Sequence, residues 1–206
     1  MPEYSHIQTY VKCNKDNYNT ILNQFACVLS ELGFDKEFLS ECFNGLEWEI
    51  SDNGFMYVGS NIKTVEIELF GLSLHIKPNV LGWTPEVIKQ LKEPWLEISL
   101  TFETNEIENS EFKIKNDAKI PLWNTMQRLS WQFHETGTYL TDEVTDGVPW
   151  QALLGFNNDI WSFDAAIIPI HLAKYYGDLN KNYSTINDVN RIYLVNKNTW
   201  GEAPLY

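Results

Sequence analysis

Val65-Glu66-Ile67-Glu68-Leu69-Phe70-Gly71-Leu72-Ser73-Leu74-His75-Ile76 reads as two half-buried strands joined by a tight turn. Val65, Ile67 and Leu69 alternate with Glu66 and Glu68, and Leu72, Leu74 and Ile76 alternate with Ser73 and His75. A period of two is what a strand with one apolar face imposes. Gly71 turns the chain, and the second strand is expected to stop before Pro78. The same pattern recurs on both sides. Upstream, Leu46, Trp48 and Ile50 alternate with Glu47 and Glu49, and Ser51-Asp52-Asn53-Gly54 turns into Phe55 to Val58, which predicts a further hairpin. Downstream, Leu96, Ile98, Leu100 and Phe102 give another half-buried strand, and His6 to Cys13 gives a short first one.

Helical periodicity frames this meander. Tyr18, Ile21, Leu22, Phe25, Val28, Leu29 and Leu32 share one face of a helix that stops at Gly33. A second, short helix is expected from an Asp35 cap through Phe38, Leu39 and Cys42 to Asn44-Gly45. Thr84-Pro85-Glu86 predicts a helix over Glu86 to Lys92, closed by Pro94. Pro121 to Glu135 predicts another, with Leu122, Met126, Leu129 and Phe133 inward and Trp131 on the opposite side. Tyr139-Leu140 begins a strand, Pro149 to Leu154 is a short helix, Ile160 to Ile168 a buried element and Arg191 to Val195 a late strand. The order of elements specifies an α+β fold, a mainly antiparallel sheet packed against helices in a single domain spanning 1–206. The polar stretch Glu103 to Asn109 reads as a loop, and a weak subdomain boundary near 104–110 is the alternative.

Charge and composition narrow the function classes. The chain carries 28 acidic and 15 basic residues, a net charge of −13. The acidity is concentrated, with 17 acidic and 7 basic residues in 1–110 against 11 and 8 in 111–206. Such a field repels phosphate backbones and anionic lipid, and the only arginines are Arg128 and Arg191, so neither nucleic acid nor a membrane is the expected partner. The first residues lack a basic region followed by an apolar run, and no stretch reaches the ~18 apolar residues of a membrane helix. A cytoplasmic location is expected. Cys13, Cys27 and Cys42 lack metal or redox spacing and are expected as free thiols.

No complete catalytic or metal motif is present. His134-Glu135 begins like a zinc-protease helix, but Thr138 stands where the second histidine would be. Thr141 to Gly147 is an acidic loop without the alternating ligands of a calcium loop, so neither metal nor cofactor is expected. What rises above this background is charge and tryptophan. If the apolar alternation of the strands faces the core, Glu47, Glu49, Glu66, Glu68, Glu97 and Glu103 emerge together on the opposite face. Like charges across strands cost stability, which suggests a face matched to a cationic partner. Trp131 is a candidate for the same kind of contact, since tryptophan is enriched at interface hot spots. The leading expectation is therefore a non-enzymatic protein-binding module of the inhibitor or immunity type, neutralising a basic partner. The alternatives are a carboxylate-dependent hydrolase drawing on Asp142, Glu143, Asp159 or Asp164 with His134 and His171 in the second half, which a pocket with converging His134, Asp142, Asp146 or His171 would favour, and a globular domain of unassigned role.

Overall fold

The structure, a computed structural model, describes residues 2–58, 62–177 and 180–201. Its strands are β1 (Tyr4–Lys12), β2 (Met56–Val58), β3 (Val65–Leu69), β4 (Leu72–Trp83), β5 (Trp95–Glu103), β6 (Thr138–Asp142), β7 (Ala165–Pro169), β8 (Tyr183–Asn187) and β9 (Arg191–Asn196). The helices are α1 (Tyr18–Glu31), α2 (Lys36–Phe43), α3 (Thr104–Ile107), α4 (Asn116–Gln132) and α5 (Val148–Leu153), with a 3-10 helix at Ile170–Tyr175. The strands form one antiparallel sheet in the order β2-β4-β5-β1-β6-β7-β9-β8, and β3 lies beside β2 along β4. This is the α+β architecture that the alternating and helical patterns specify.

The β3–β4 hairpin follows from its sequence. Leu69 pairs with Leu72, which leaves a two-residue turn at Phe70-Gly71, and both residues have positive φ, 50° and 88°. Such turns match the right-handed twist of the strands they join. Strand β4 then continues through Pro78 to Trp83. Pro78 falls between Ile76, which pairs with β3, and Val80, which pairs with β2, so among the described residues the strand is paired there only with β5. A residue without an N–H is tolerated where the ladder is one-sided.

One face of the sheet carries the main core. Ile7, Val11, Leu74, Ile76, Val80, Leu96, Ile98, Leu100 and Phe102 pack against Phe25 and Leu29 of α1 and Leu122, Met126 and Leu129 of α4. Helix α2 is capped by Asp35, whose carboxylate accepts from the Glu37 and Phe38 amides. The other face is covered only in part. At one side Ile88, Leu91 and Trp150 lie over Tyr10; at the other, Phe163, Tyr176 and Tyr183 lie over Tyr139, Ile168 and Leu194. The strip between these covers is polar.

Several sequence expectations need correction. Residues 46–50 form no strand; Leu46 and Trp48 instead pack on the helical layer, Trp48 meeting Tyr18 edge-on at 5.6 Å. Burial against a helix rewards the same alternation as a sheet does. Residues 86–92 form turns rather than a helix: the Val87 and Ile88 amides donate to the Thr84 carbonyl and the Leu91 amide to the Ile88 carbonyl, while the Thr84 hydroxyl donates away from the segment to the Gly54 carbonyl. The presumed loop at 103–109 contains α3, tied to β1 by a 2.9 Å hydrogen bond between the Thr104 and Ser5 hydroxyls. Phe112 to Lys115, whose sequence reads as a short strand, supplies only an isolated bridge, Ile114 to Glu108. Helix α4 begins at Asn116, so Pro121 lies inside it, and within 160–168 only Ala165 onward is strand.

The pairing of β2 with β4 gives a direct test. A Cβ at Gly82 would stand 2.3 Å from the Met56 Cβ and 3.1 Å from the Met56 carbonyl oxygen. Backbone on both sides leaves no rotamer to relieve the clash. Gly82→Ala is expected to cost about 1–3 kcal/mol, read as a lower urea midpoint at unchanged slope; an unchanged midpoint would mean that β2 is not held as described.

Candidate binding face

The polar strip of the sheet is built by the outward residues of β3, β4, β5 and β1. Glu66 and Glu68 project from β3, and Glu103 from the end of β5, all exposed. The register opposes Glu66 to His75, Glu68 to Ser73, Glu97 to Tyr10 and Leu81, and Glu103 to Tyr4. No two of these glutamates are directly opposed, which corrects the expected cross-strand repulsion. His75 instead sits within a carboxylate ring. Its Nδ1 meets Glu106 Oε1 at 2.5 Å and its amide donates to Glu106 Oε2 at 2.8 Å. The Glu106 hydrogen bond and charge, with smaller contributions from Glu66 and Glu103, raise the His75 pKa. Among the described residues, Glu66, Glu68 and Glu103 form no salt bridge with lysine or arginine.

The face therefore joins Glu66, Glu68 and Glu103, and adds Glu106, which sequence reasoning missed because it placed that segment in a loop. Glu47 and Glu49 are exposed but lie in the coil packed on the helical layer, outside this group. Glu97 shares the face and is buried, 9% exposed.

A cavity of about 390 Å³ opens in the same strip, lined by Tyr4, His6, Thr64, His75, Lys77, Asn79, Thr101, Phe102 and Glu103. Its floor is hydrogen-bonded. The Asn79 amide donates to the Thr101 hydroxyl at 2.7 Å, and that hydroxyl lies 3.1 Å from His6 Nδ1. Lys77, opposite Thr101 in the register, makes no ion pair among the described residues.

Beyond His6 the strip passes into a closed polar network. With its amide turned to satisfy all four neighbours, Gln8 donates to Asp146 Oδ1 at 2.8 Å and to the Tyr10 hydroxyl at 2.7 Å. Its oxygen accepts from the Thr141 hydroxyl at 2.7 Å and the Gly147 amide at 3.1 Å. Asp146 is exposed as a residue, yet its carboxyl turns into this network, and burial raises its pKa. Glu97 lies beneath Trp83, whose indole N–H donates to its Oε2 at 3.0 Å. Burial, reinforced by the Asp146 charge, pushes the Glu97 carboxyl up to about 7, against the opposing pull of the Trp83 and Ser99 hydrogen bonds. Tyr10 stacks on Trp150 with ring centroids 4.1 Å apart, and Trp83 and Trp95 approach Trp150 at 6.1 Å each. This aromatic cover keeps water from the carboxyl.

Trp131 is 58% exposed on α4. It lines a shallow pocket with His134, Pro169, Ile170, His171, Asn190 and Arg191. Pro169 belongs to β7, five strands from β3, or roughly 24 Å at ~4.8 Å per strand. Trp131 therefore stands apart from the carboxylate face. His134 and His171 meet in that pocket, but no carboxylate lines it. Asp142 is occupied by its own turn, accepting from the Val144 and Thr145 amides and the Thr145 hydroxyl. Asp164 precedes β7 and caps no helix; burial pushes it up to about 6, and Glu108, buried near Asp164 and Asp142, is pushed up to about 7. Among the described residues no group of His, Cys, Asp and Glu is arranged to hold a metal ion, and no helix is long and apolar enough to cross a membrane. The three cysteines are free, with Cys13 and Cys42 buried and Cys27 exposed.

Comparison of the chain with protein-family models, with curated proteins and with solved structures finds no match.

Proposed function

We propose that the protein is a non-enzymatic binding module whose β3–β5 face receives a basic protein partner, in the manner of a cytoplasmic inhibitor or immunity protein. The observation that carries this reading is the grouping of Glu66, Glu103 and Glu106 around His75, with Glu68 beside them on β3, and among the described residues Glu66, Glu68 and Glu103 form no salt bridge with lysine or arginine. Carboxylates concentrated on one face and left uncompensated steer a cationic surface toward them and favour its correct register. The hydrolase alternative has less support, because the second-half histidines and carboxylates sit in separate places.

The test is kinetic. A partner captured from the source cells should be basic, and its association rate should fall steeply from low salt to about 1 M, as the Debye length shrinks from about 10 Å to about 3 Å. Glu66→Gln with Glu68→Gln keeps the strand pattern and deletes two charges, and should slow association by about tenfold at low salt. Glu47→Gln with Glu49→Gln serves as the control and should leave the rate nearly unchanged. Equal rates for both double variants and the parent would remove the carboxylate face from the interaction.

A further inference from the structure

The cavity in the polar strip holds formal charges of opposite sign that do not neutralise one another. Lys77 and Glu103 both line it, and neither belongs to a salt bridge among the described residues. An ammonium and a carboxylate left apart in one recess are both available to a ligand. A simple anion is disfavoured there, because Glu103 lines the recess and Glu66 and Glu106 act on His75, which lines it too. A simple cation is disfavoured by Lys77 in the lining. A molecule carrying both charges satisfies both walls, and charge-assisted hydrogen bonds of this kind are the strong ones.

The lining is also prepared for a polar guest. The Asn79–Thr101–His6 chain fixes the floor before anything binds, and the Tyr4 and Thr64 hydroxyls add further donors and acceptors. Preorganised polar groups lower the ordering cost of binding. At about 390 Å³ the cavity lies at the small end of ligand pockets, which run roughly 300–1,000 Å³.

We infer that this cavity is a binding site for a small dipolar ligand of the free α-amino acid class, its carboxylate held by Lys77 and its ammonium by Glu103. The site shares Glu103 and the polar strip with the proposed docking face but uses neither Glu66 nor Glu68, and it stands without that role.

The experiment presents the twenty proteinogenic L-amino acids singly, at about 10 mM, to the full chain, with saturation-transfer NMR for detection and calorimetry for affinity. At least one should bind, and its N-acetyl and its carboxamide derivatives, each lacking one charge, should each bind about tenfold more weakly or worse. Lys77→Met should weaken the parent amino acid by a similar factor while leaving the carboxamide unchanged, and Glu103→Gln should weaken the parent while leaving the N-acetyl form unchanged. The derivatives test the pairing even if a variant folds poorly. Binding by none of the twenty, equal binding of the singly charged derivatives, or indifference to Lys77→Met in a folded variant overturns the assignment. Lys77→Met leaves Glu66 and Glu68 in place, so its effect on ligand and the effect of the glutamate variants on a protein partner fail or succeed separately.

Discussion

Trp150→Ala is expected to lower stability by about 3–5 kcal/mol, the loss that follows when a large, wholly enclosed aromatic side chain leaves a void. Trp150 is 1% exposed, stacks on Tyr10 and touches Trp83 and Trp95, so it is the one side chain of α5 that joins the helix to three strands. Among the described residues its indole N–H has no hydrogen-bond partner. Trp150→Phe therefore keeps the stack and removes an unsatisfied buried donor, and should cost far less than the alanine variant. Urea melts of both variants separate packing from hydrogen bonding. A small loss in the alanine variant would mean that α5 is not clamped to the sheet, and near-equal losses in the two would mean that the indole ring's outer half carries the contact.

The strands were legible where alternation coincided with a neighbour able to use it. Val65 to Ile76 and Leu96 to Phe102 show the pattern and pair as expected, because each lies next to another strand with its apolar side toward α1 or α4. Leu46 to Ile50 has an equally clean alternation and is not a strand. Leu46 and Trp48 pack against the helical layer while Ile50 stays exposed, and periodicity records a one-sided pattern without saying what, if anything, does the burying. The long reach of β4 was hidden by Pro78, whose breaking tendency lapses between the β3 and β2 pairings, where among the described residues only β5 pairs with the strand. Strand β8 escaped notice because Tyr183 to Asn187 is only partly buried and carries little apolar contrast.

The site was half legible for a similar reason. Alternation put Glu66, Glu68, Glu97 and Glu103 on one side of the sheet, and the structure keeps them there. It could not reveal that part of this side is itself covered. Ile88 and Leu91 sit in turns just before β5 that read as a helix, and Trp150 comes from α5, far along the chain; together they turn Glu97 from a solvated carboxylate into a buried one. Nor could it reveal the cavity, whose lining joins β1, β4 and β5 across about a hundred residues of chain. The one available signal was compositional: His75, Lys77 and Asn79 are polar residues on a strand whose alternate positions are apolar, next to a proline that should have ended it.

The burial of Glu97 should make stability fall as pH rises through the neutral range. A carboxyl whose pKa is pushed from 4.5 up to about 7 in the folded protein prefers to keep its proton there, whereas in the unfolded chain it loses the proton near its ordinary value. Below about pH 4.5 both states are protonated and the stabilising difference is fully present; between there and about pH 7 the folded state holds a proton that the unfolded state lacks, and stability declines. Above that window both are ionised and the dependence flattens. At about 1.4 kcal/mol per tenfold in proton affinity, the total is on the order of 3 kcal/mol. Glu108, pushed to about 7, and Asp164, pushed to about 6, act in the same direction over overlapping ranges, so the wild-type profile alone does not isolate Glu97. Glu97→Gln does. The amide oxygen still accepts the Trp83 indole N–H, the shape is kept and the charge never forms. The variant should match the parent near pH 4 and exceed it near pH 8.5, by an amount approaching the same ~3 kcal/mol. Urea midpoints that run parallel for the two proteins across this range would show that the Glu97 carboxylate ionises in the folded state at no special cost, and that the aromatic cover over it admits water.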